Sequence, residues 1–398
     1  MGERTPKSKR RRLIIVLIAA VGIAVVVLCP LWVAGIIGLQ SVHDQLARIE
    51  SERAIPDSEN AATIYDPILE GLGGPVSLDE CDDDICKWVT DDLGREVSQL
   101  ARSEMQLQDM QRSLCSLLHA SRMEKCRPPL RMVVNLGKLS PLRVSIDQLI
   151  LSADSNAWSG KIDVAVEKYL ATIRIARHFQ QQPLTWYVRD GSDTEGAVLD
   201  AILHFMAHGN VTEEHLAYIE THLDEINDNR GPNSEELAQV TTLVCEDAVF
   251  ARNTNLLVRW KHKLFDQRYL EAEIKGMVQV VTDKYSRLKA KRRSIPLLVA
   301  LRRYRNRMGH WPDTLDEIRQ SVPEGILADA QHATRFTYWR MTGGFELYST
   351  GQNRIDESCG GDDWLIWSTR WGSPNEGEKE GEWEIRGLYS NATGLLLL

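Results

Sequence analysis

The sequence predicts a mainly α-helical protein with an N-terminal transmembrane helix and a small C-terminal α+β module that contains an antiparallel sheet. Three observations lead to this class: an uncharged apolar run, apolar residues at helical spacing through the middle of the chain, and alternating aromatic residues near its end. We expect four segments. These are a cytoplasmic basic segment at 1–12, a transmembrane helix at 13–39, a helical domain at 40–295 and the α+β module at 296–398.

The run 13–39 has the length and composition of a membrane anchor. A helix that crosses about 30 Å of hydrocarbon needs about 20 apolar residues, and this run has twenty-seven residues without a charge. A basic cluster precedes it, so the positive-inside rule keeps the N-terminus in the cytoplasm. We therefore expect a single-pass protein of the cytoplasmic membrane, with most of the chain outside the cytoplasm. A cleaved signal peptide and a lipoprotein anchored through Cys29 are the alternatives.

The net charge indicates which classes of partner to expect. The whole chain carries −9, but residues 1–12 contain six Lys or Arg and one Glu, so the remainder carries −14. A general nucleic-acid binder needs a basic surface for phosphate contacts, and we therefore expect no nucleic-acid partner. The expected partners are the membrane and a protein of the cell envelope.

Six cysteines follow the apolar run, an even number in a compartment that can be oxidising. They are Cys81, Cys86, Cys115, Cys126, Cys245 and Cys359. We expect one or two disulfides among the first four, with the connectivity left open. A zinc site is the weaker alternative because the spacings are C-x4-C and C-x10-C and the neighbouring carboxylates are hard oxygen ligands.

Helical periodicity dominates the middle of the chain. Apolar residues recur at three and four through 91–125, and Ser140-Pro141 is typical of a helix start that continues to about Trp158. Residues 157–179 resemble a helical hairpin of the tetratricopeptide kind, with Gly160 in the turn. Further helices are predicted at about 194–208, 212–226, 234–264 and 268–289.

The C-terminal module changes to strand patterning. Residues 336–341 and 345–349 alternate in polarity and flank Gly343-Gly344, which predicts a hairpin, and 364–367 fits a third strand. Four segments here resemble the head of type II secretion pseudopilins of the G type. They are 300–305, 309–318, 348–353 and 362–367. The resemblance implies a helix that ends in an aromatic-Pro turn, a short helix, a small antiparallel sheet and a calcium-holding loop. The whole chain resembles membrane-anchored bacterial envelope proteins with such a tail.

The loop after the second strand is the candidate metal site. Its carboxylates and amides, joined by Ser349 and Glu357, offer oxygen ligands on a flexible glycine-containing loop, which suits Ca²⁺. We assign the candidate calcium ligands to Asn353, Asp356, Asp362 and Asp363. A solvated acidic loop is the alternative, and Arg354 stands where the pseudopilin pattern has a glycine.

Two other groups of residues have competing interpretations. His204 and His208 lie four residues apart, near His215 and His222, but Phe205 stands where a zinc protease has its catalytic glutamate, so packing between helices is the favoured interpretation. From Lys284 to Arg307 there are ten Lys or Arg and no Asp or Glu. This run either pairs with the acidic remainder of the chain, contacts anionic lipid or docks an acidic partner.

The function we expect is a non-enzymatic membrane-anchored scaffold or interaction protein of the bacterial envelope, with a Ca²⁺-binding loop as an option. The alternative is an envelope hydrolase whose site lies around the helix of His204 and His208. A concave pocket that gathers these histidines with a carboxylate would favour the hydrolase.

Overall fold

A computed structural model describes ten parts of the chain: residues 41–69, 75, 104–128, 130, 139–222, 232–252, 267–328, 335–351, 353–357 and 363–369. Its helices are α1 (41–53), α2 (Ala62–Leu69), α3 (Glu104–Ser121), α4 (Leu139–Trp158), α5 (Ile162–Gln180), α6 (Thr185–His208), α7 (Glu213–Thr221), α8 (Ser234–Arg252), α9 (Gln267–Met308) and α10 (Glu324–Leu327). Single 3-10 turns cover Asp57–Glu59 and Leu315–Ser321. The described residues are therefore mainly helical.

The predicted fold class is wrong where it includes a transmembrane helix. No described helix is both long and apolar enough to cross a bilayer. The physical reason is that these helices are amphipathic: even α9, with 42 residues, carries Lys and Arg along most of its length. The corrected class is mainly helical with one small antiparallel sheet. The run at 13–39 lies outside the described residues, so the membrane localisation stays a prediction.

The chain divides into two compact units. The first comprises Met1–Ala54, Pro129–Val134 and Glu235–Val278, and the second comprises the rest. Within the first unit, His43 Nδ1 lies 2.9 Å from Asp247 Oδ1, which joins α1 to α8. The candidate sites discussed below lie in the second unit.

The α4–α5 hairpin is the centre of the helical part of the second unit. Gly160 has a φ of +83°, the left-handed conformation that the short turn requires. The main-chain nitrogen of Lys161 donates to Asn156 O at 2.9 Å and closes the end of α4. The prediction of a helical domain is confirmed. The part of the chain that the structure describes gives no support for the tetratricopeptide likeness.

Helices α5 and α6 pack with very close backbones. A Cβ atom on Gly191 of α6 would lie 2.4 Å from the carbonyl oxygen of Ala176 in α5, nearer than any real Cβ contact. The same substitution at Gly196, one and a half turns later, would meet nothing within 4 Å. The close contact is therefore local to the first half of α6.

The predicted three-stranded sheet is confirmed. Strands β1 (Thr337–Met341), β2 (Gly344–Ser349) and β3 (Trp364–Ser368) are antiparallel in the order β1-β2-β3. Tyr338 pairs with Leu347, and a bulge follows Leu347 in the pairing with β3. The inner face is buried and aromatic, with Trp311 edge-on to Phe345 at 4.8 Å between ring centroids.

The cysteines follow the prediction in part. Cys115 takes part in a disulfide bond, and its partner lies outside the described residues. Cys126, which is buried, and Cys245 are thiols. Burial raises the pKa of the Cys245 thiol, and the charges of Glu246 and Glu273 raise it further, so this thiol is a poor nucleophile at neutral pH.

Candidate functional site

The acidic loop after β2 brings three of its four predicted calcium ligands into the described structure. Each already accepts a hydrogen bond: Asn353 Oδ1 from Ile355 N at 2.6 Å, Asp356 Oδ1 from the Tyr348 hydroxyl at 2.9 Å, and Asp363 Oδ2 from Glu357 N at 3.0 Å. Lone pairs remain on these oxygens, so the donor set suits a hard cation. Asp362 lies outside the described residues, and calcium therefore stays a prediction.

The same loop contains one residue in a strained conformation. Arg354 has a φ of +62°, in the left-handed region that side-chain-bearing residues rarely adopt. This is the position at which the pseudopilin pattern has a glycine. The backbone thus makes the turn that a glycine would favour, at a cost of about 1 kcal/mol or more.

The histidine group divides into separate environments. His204 lies beside Trp158, with ring centroids 5.8 Å apart, and the side chain of His208 lies outside the described residues. His215 caps α7 through a reciprocal pair of hydrogen bonds with Thr212. No group of three or more His, Cys, Asp or Glu side chains in the described ranges could hold a metal ion. The hydrolase alternative stays a prediction.

His222, at the end of α7, does meet a carboxylate. Its Nε2 lies 3.9 Å from Oε1 of Glu167 in α5, and its Nδ1 lies 2.8 Å from the carbonyl oxygen of Tyr218. The Tyr218 hydroxyl donates to the same Glu167 oxygen at 3.4 Å. Burial raises the pKa of Tyr218, and the negative charges of Glu167 and Asp163 raise it further. We call Asp163, Glu167, Tyr218 and His222 the acidic rim.

A small apolar cavity adjoins the acidic rim. Its volume is about 20 Å³, room for a group of about the size of one water molecule. The lining side chains come from α4, α5, α6 and α7, and His222 is one of them. They are Ala157, Ile162, Ala165, Val166, Tyr169, Leu170, Ile202, Phe205, Ile219 and His222.

Trp158 contacts a residue that lines this cavity. It is the last residue of α4, and 44% of its surface is exposed. Its ring meets Phe205, a cavity-lining residue, edge to face at 6.0 Å between centroids. An exposed tryptophan and the acidic rim thus both adjoin this small apolar cavity.

Four of the ten cations in the basic run of α9 form ion pairs with carboxylates of the second unit, as the interpretation of an internally paired face predicts: Lys284, Lys291, Arg292 and Arg303. Arg292 and Glu195 are 2% and 0% exposed, and Nε of Arg292 donates to Oε1 of Glu195 at 2.5 Å. Gln180 accepts from Arg292 at 3.0 Å and donates to Glu195 at 2.7 Å, which completes a hydrogen-bonded cluster of α5, α6 and α9. The buried charges of this cluster are thus hydrogen-bonded, and removing one partner would leave the other charge buried and uncompensated.

Arg302 holds the end of α6 in a different way. Its guanidinium donates to the main-chain oxygens of Met206 at 2.9 Å, Ala207 at 3.0 Å and Gly209 at 2.9 Å. A cation at a helix C-terminus complements the helix dipole and satisfies carbonyls that lack an intrahelical partner. Burial lowers the pKa of Arg302 to about 10, so the group stays charged at neutral pH.

Lys168 of α5 forms a buried polar contact with α4. Its Nζ donates to Ser152 Oγ and to Asn156 Oδ1, each at 2.7 Å. Serine and lysine at this distance form the nucleophile and base of some hydrolases. Here Lys168 is 0% exposed and Ser152 is 2% exposed, so a substrate has no access to either. The contact joins the two helices of the hairpin.

The acidic rim was not among the predicted site residues. The sequence drew attention to the histidine group but offered no partner for His222, because Glu167 lies 55 residues earlier on another helix. Asp163 and Glu167 are four apart on α5 and share a helix face, which was the available signal. The likeness of the C-terminal segments to pseudopilin heads stays a prediction. No protein-family model, curated protein or solved structure matches this chain.

Proposed function

We propose that the protein is a non-enzymatic interaction protein of a bacterial cell envelope, and that its helical domain binds a protein partner at the end of the α4–α5 hairpin. The observation that carries this proposal is the exposure of Trp158 beside the apolar cavity. Tryptophan is among the residues that contribute most binding energy to interfaces, particularly beside a pocket. We therefore expect Trp158 to contact the partner directly.

The exposed side of α4 extends this surface. Val144 is 50% exposed and lies fourteen residues before Trp158, close to four helical turns, so the two side chains share a face about 21 Å apart. Leu151, halfway between them, is partly exposed. These three apolar residues are spaced seven residues apart and form a stripe along the helix, which suits contact with an elongated partner surface.

Photo-crosslinking tests the proposed surface. A photoreactive amino acid replaces Trp158 in the full-length chain in one strain and exposed Gln320, outside the helical domain, in another. We expect a discrete adduct at position 158, a partner identified from it by mass spectrometry, and direct binding of that partner to the purified chain. Trp158→Ala should weaken this binding at least about tenfold, as truncation of an interface anchor does.

Two results would overturn the proposal. One is the same pattern of adducts at positions 158 and 320, which indicates random collision. The other is a partner that binds the Trp158→Ala variant as tightly as the unchanged chain.

A further inference from the structure

A gap separates two side chains of the acidic rim. A carbonyl oxygen can only accept, so Nδ1 of His222 donates to Tyr218 O at 2.8 Å. Nε2 of His222 and Oε1 of Glu167 lie 3.9 Å apart, beyond hydrogen-bond distance. A donor placed between these atoms could form a hydrogen bond with the Glu167 oxygen, and with Nε2 where that atom carries no proton. The rim therefore has room for one further donor.

The charge at the rim is also uncompensated. Within the described ranges, neither Asp163 nor Glu167 lies within ion-pair distance of a Lys or Arg. Other carboxylates of the second unit do have such partners, for example Glu195 with Arg292 and Glu213 with Arg303. The charges of these two carboxylates are among the causes of the raised pKa of Tyr218. The further donor should thus be a cation.

The surroundings indicate which kind of cation. The described residues supply no group of three or more His, Cys, Asp or Glu that could hold a metal ion, which disfavours a metal here. The ammonium of lysine has three donors and the guanidinium of arginine has five, and either can reach both Glu167 and His222. The adjacent cavity is lined by aliphatic and aromatic side chains and admits only the tip of an aliphatic group.

We propose that the acidic rim and its cavity bind a protein segment in which a Lys or Arg neighbours an aliphatic residue. The cation donates to Glu167 and to Nε2 of His222, and the aliphatic tip enters the cavity while Trp158 covers the segment. This inference rests on the proposed function, since it names the chemistry of the partner for the same surface.

Selection from a displayed library of random twelve-residue peptides tests it. The purified full-length chain is the bait, and the Trp158→Ala variant removes peptides that bind elsewhere. We expect the retained peptides to share a Lys or Arg within one to three residues of Val, Leu or Ile. A synthetic peptide with the shared sequence should bind the chain, and its affinity should fall as salt screens the charges.

Rim variants then test the assignment of the carboxylate. Glu167→Gln keeps the shape and one acceptor oxygen but removes the charge, and it should weaken binding of the peptide at least about tenfold. Glu214→Gln is the matched control, because Glu214 is an exposed carboxylate on α7 and its loss should change affinity less than about twofold. Replacing the basic residue of the peptide by norleucine should abolish the difference between the unchanged chain and Glu167→Gln.

The outcomes separate the two proposals. Peptides that depend on Trp158 but lack a basic residue, or that bind Glu167→Gln as tightly as the unchanged chain, overturn the inference and leave the proposed function standing. A selection without any Trp158-dependent peptide contradicts both. Circular dichroism of each variant, with an unchanged helical signal, excludes unfolding as the cause.

Discussion

Two groups of charged side chains on α5 and its neighbours differ in how completely they are satisfied. In the buried cluster, Arg292, Glu195 and Gln180 donate and accept among themselves and lie almost entirely out of water. At the acidic rim, Glu167 Oε1 lies 3.9 Å from Nε2 of His222, and no described Lys or Arg lies within ion-pair distance of it. The comparison indicates that charged groups are satisfied internally where helices converge, and that the rim offers charge to the partner we propose.

The largest expected effect comes from a substitution that breaks the buried cluster. Glu195→Ala leaves Arg292 buried without its carboxylate, and we expect a loss of about 3–5 kcal/mol in the free energy of unfolding. Glu213→Ala is the control, because the pair of Glu213 with Arg303 is more exposed and should contribute less than about 1 kcal/mol. Urea denaturation followed by circular dichroism measures both. Equal losses for the two variants would remove the distinction between buried and exposed pairs.

The next largest effect tests the close packing of α5 against α6. Gly191→Ala forces a Cβ against main-chain atoms of α5, and we expect it to destabilise the protein by about 1–3 kcal/mol. Gly196→Ala, in the same helix with open space around it, should stabilise by about 0.5–1 kcal/mol because alanine favours helix. Thermal melts of the two variants should therefore shift in opposite directions. A stabilised Gly191→Ala would contradict the close approach of α5 and α6.

An intermediate case lies between the two groups, at Asp154 of α4. Burial raises the pKa of Asp154 to about 6, and the hydrogen bond from the Tyr169 hydroxyl opposes this only in part. The raised pKa gives stability that is present below pH 4 and is lost as the pH rises through 6. Asp154→Asn should therefore be more stable than the unchanged chain at pH 7, by about 1–2 kcal/mol, and the difference should vanish near pH 4.

His178 titrates in the same pH range as Asp154, so the effect of Asp154 must be measured as the difference between Asp154→Asn and the unchanged chain. Burial lowers the pKa of His178 to about 4, so its own contribution is lost as the pH falls from 6.5 toward 4, the opposite direction. The contribution is common to both proteins and cancels in the comparison. Denaturation curves at pH 4 and pH 7 for the two proteins give the result. A difference that does not change with pH would exclude a titrating Asp154.

The smallest effect concerns the acidic loop, whose oxygens resemble the buried cluster in having internal donors. Arg354→Gly relieves the left-handed conformation and should stabilise the protein by about 1 kcal/mol. The melting temperature measures this, with exposed Arg319→Gly as a control that should not stabilise. A lower melting temperature for Arg354→Gly would show that its side-chain contacts outweigh the strain.

The sequence predicted elements whose signals are local. The α4–α5 hairpin follows from apolar spacing on either side of Gly160, and the β1–β2 hairpin from alternation around Gly343, where φ is +81°. Helix α9 contains Pro296 and continues through it from Gln267 to Met308. The residues that flank Pro296 are buried, and packing on both sides supports a helix that a proline would otherwise weaken.

Contacts between distant residues could not be predicted. Arg292 and Glu195 are 97 residues apart, and the sequence around each residue does not indicate the other as its partner. The histidine group was visible, but only folding decides that His215 caps a helix while His222 meets Glu167. Periodicity assigns residues to a face, whereas the partner of that face depends on how helices cross.

The contact between Arg302 and the end of α6 limits how the sequence of this protein can diverge. The guanidinium recognises main-chain oxygens, so the side chains at 206–211 can change without weakening the contact. Gly209 is an exception, because a Cβ there would lie 2.6 Å from the ring of Phe205. A diverged relative should therefore vary through this turn while it keeps one arginine and one glycine, 93 residues apart, as its recognisable signature.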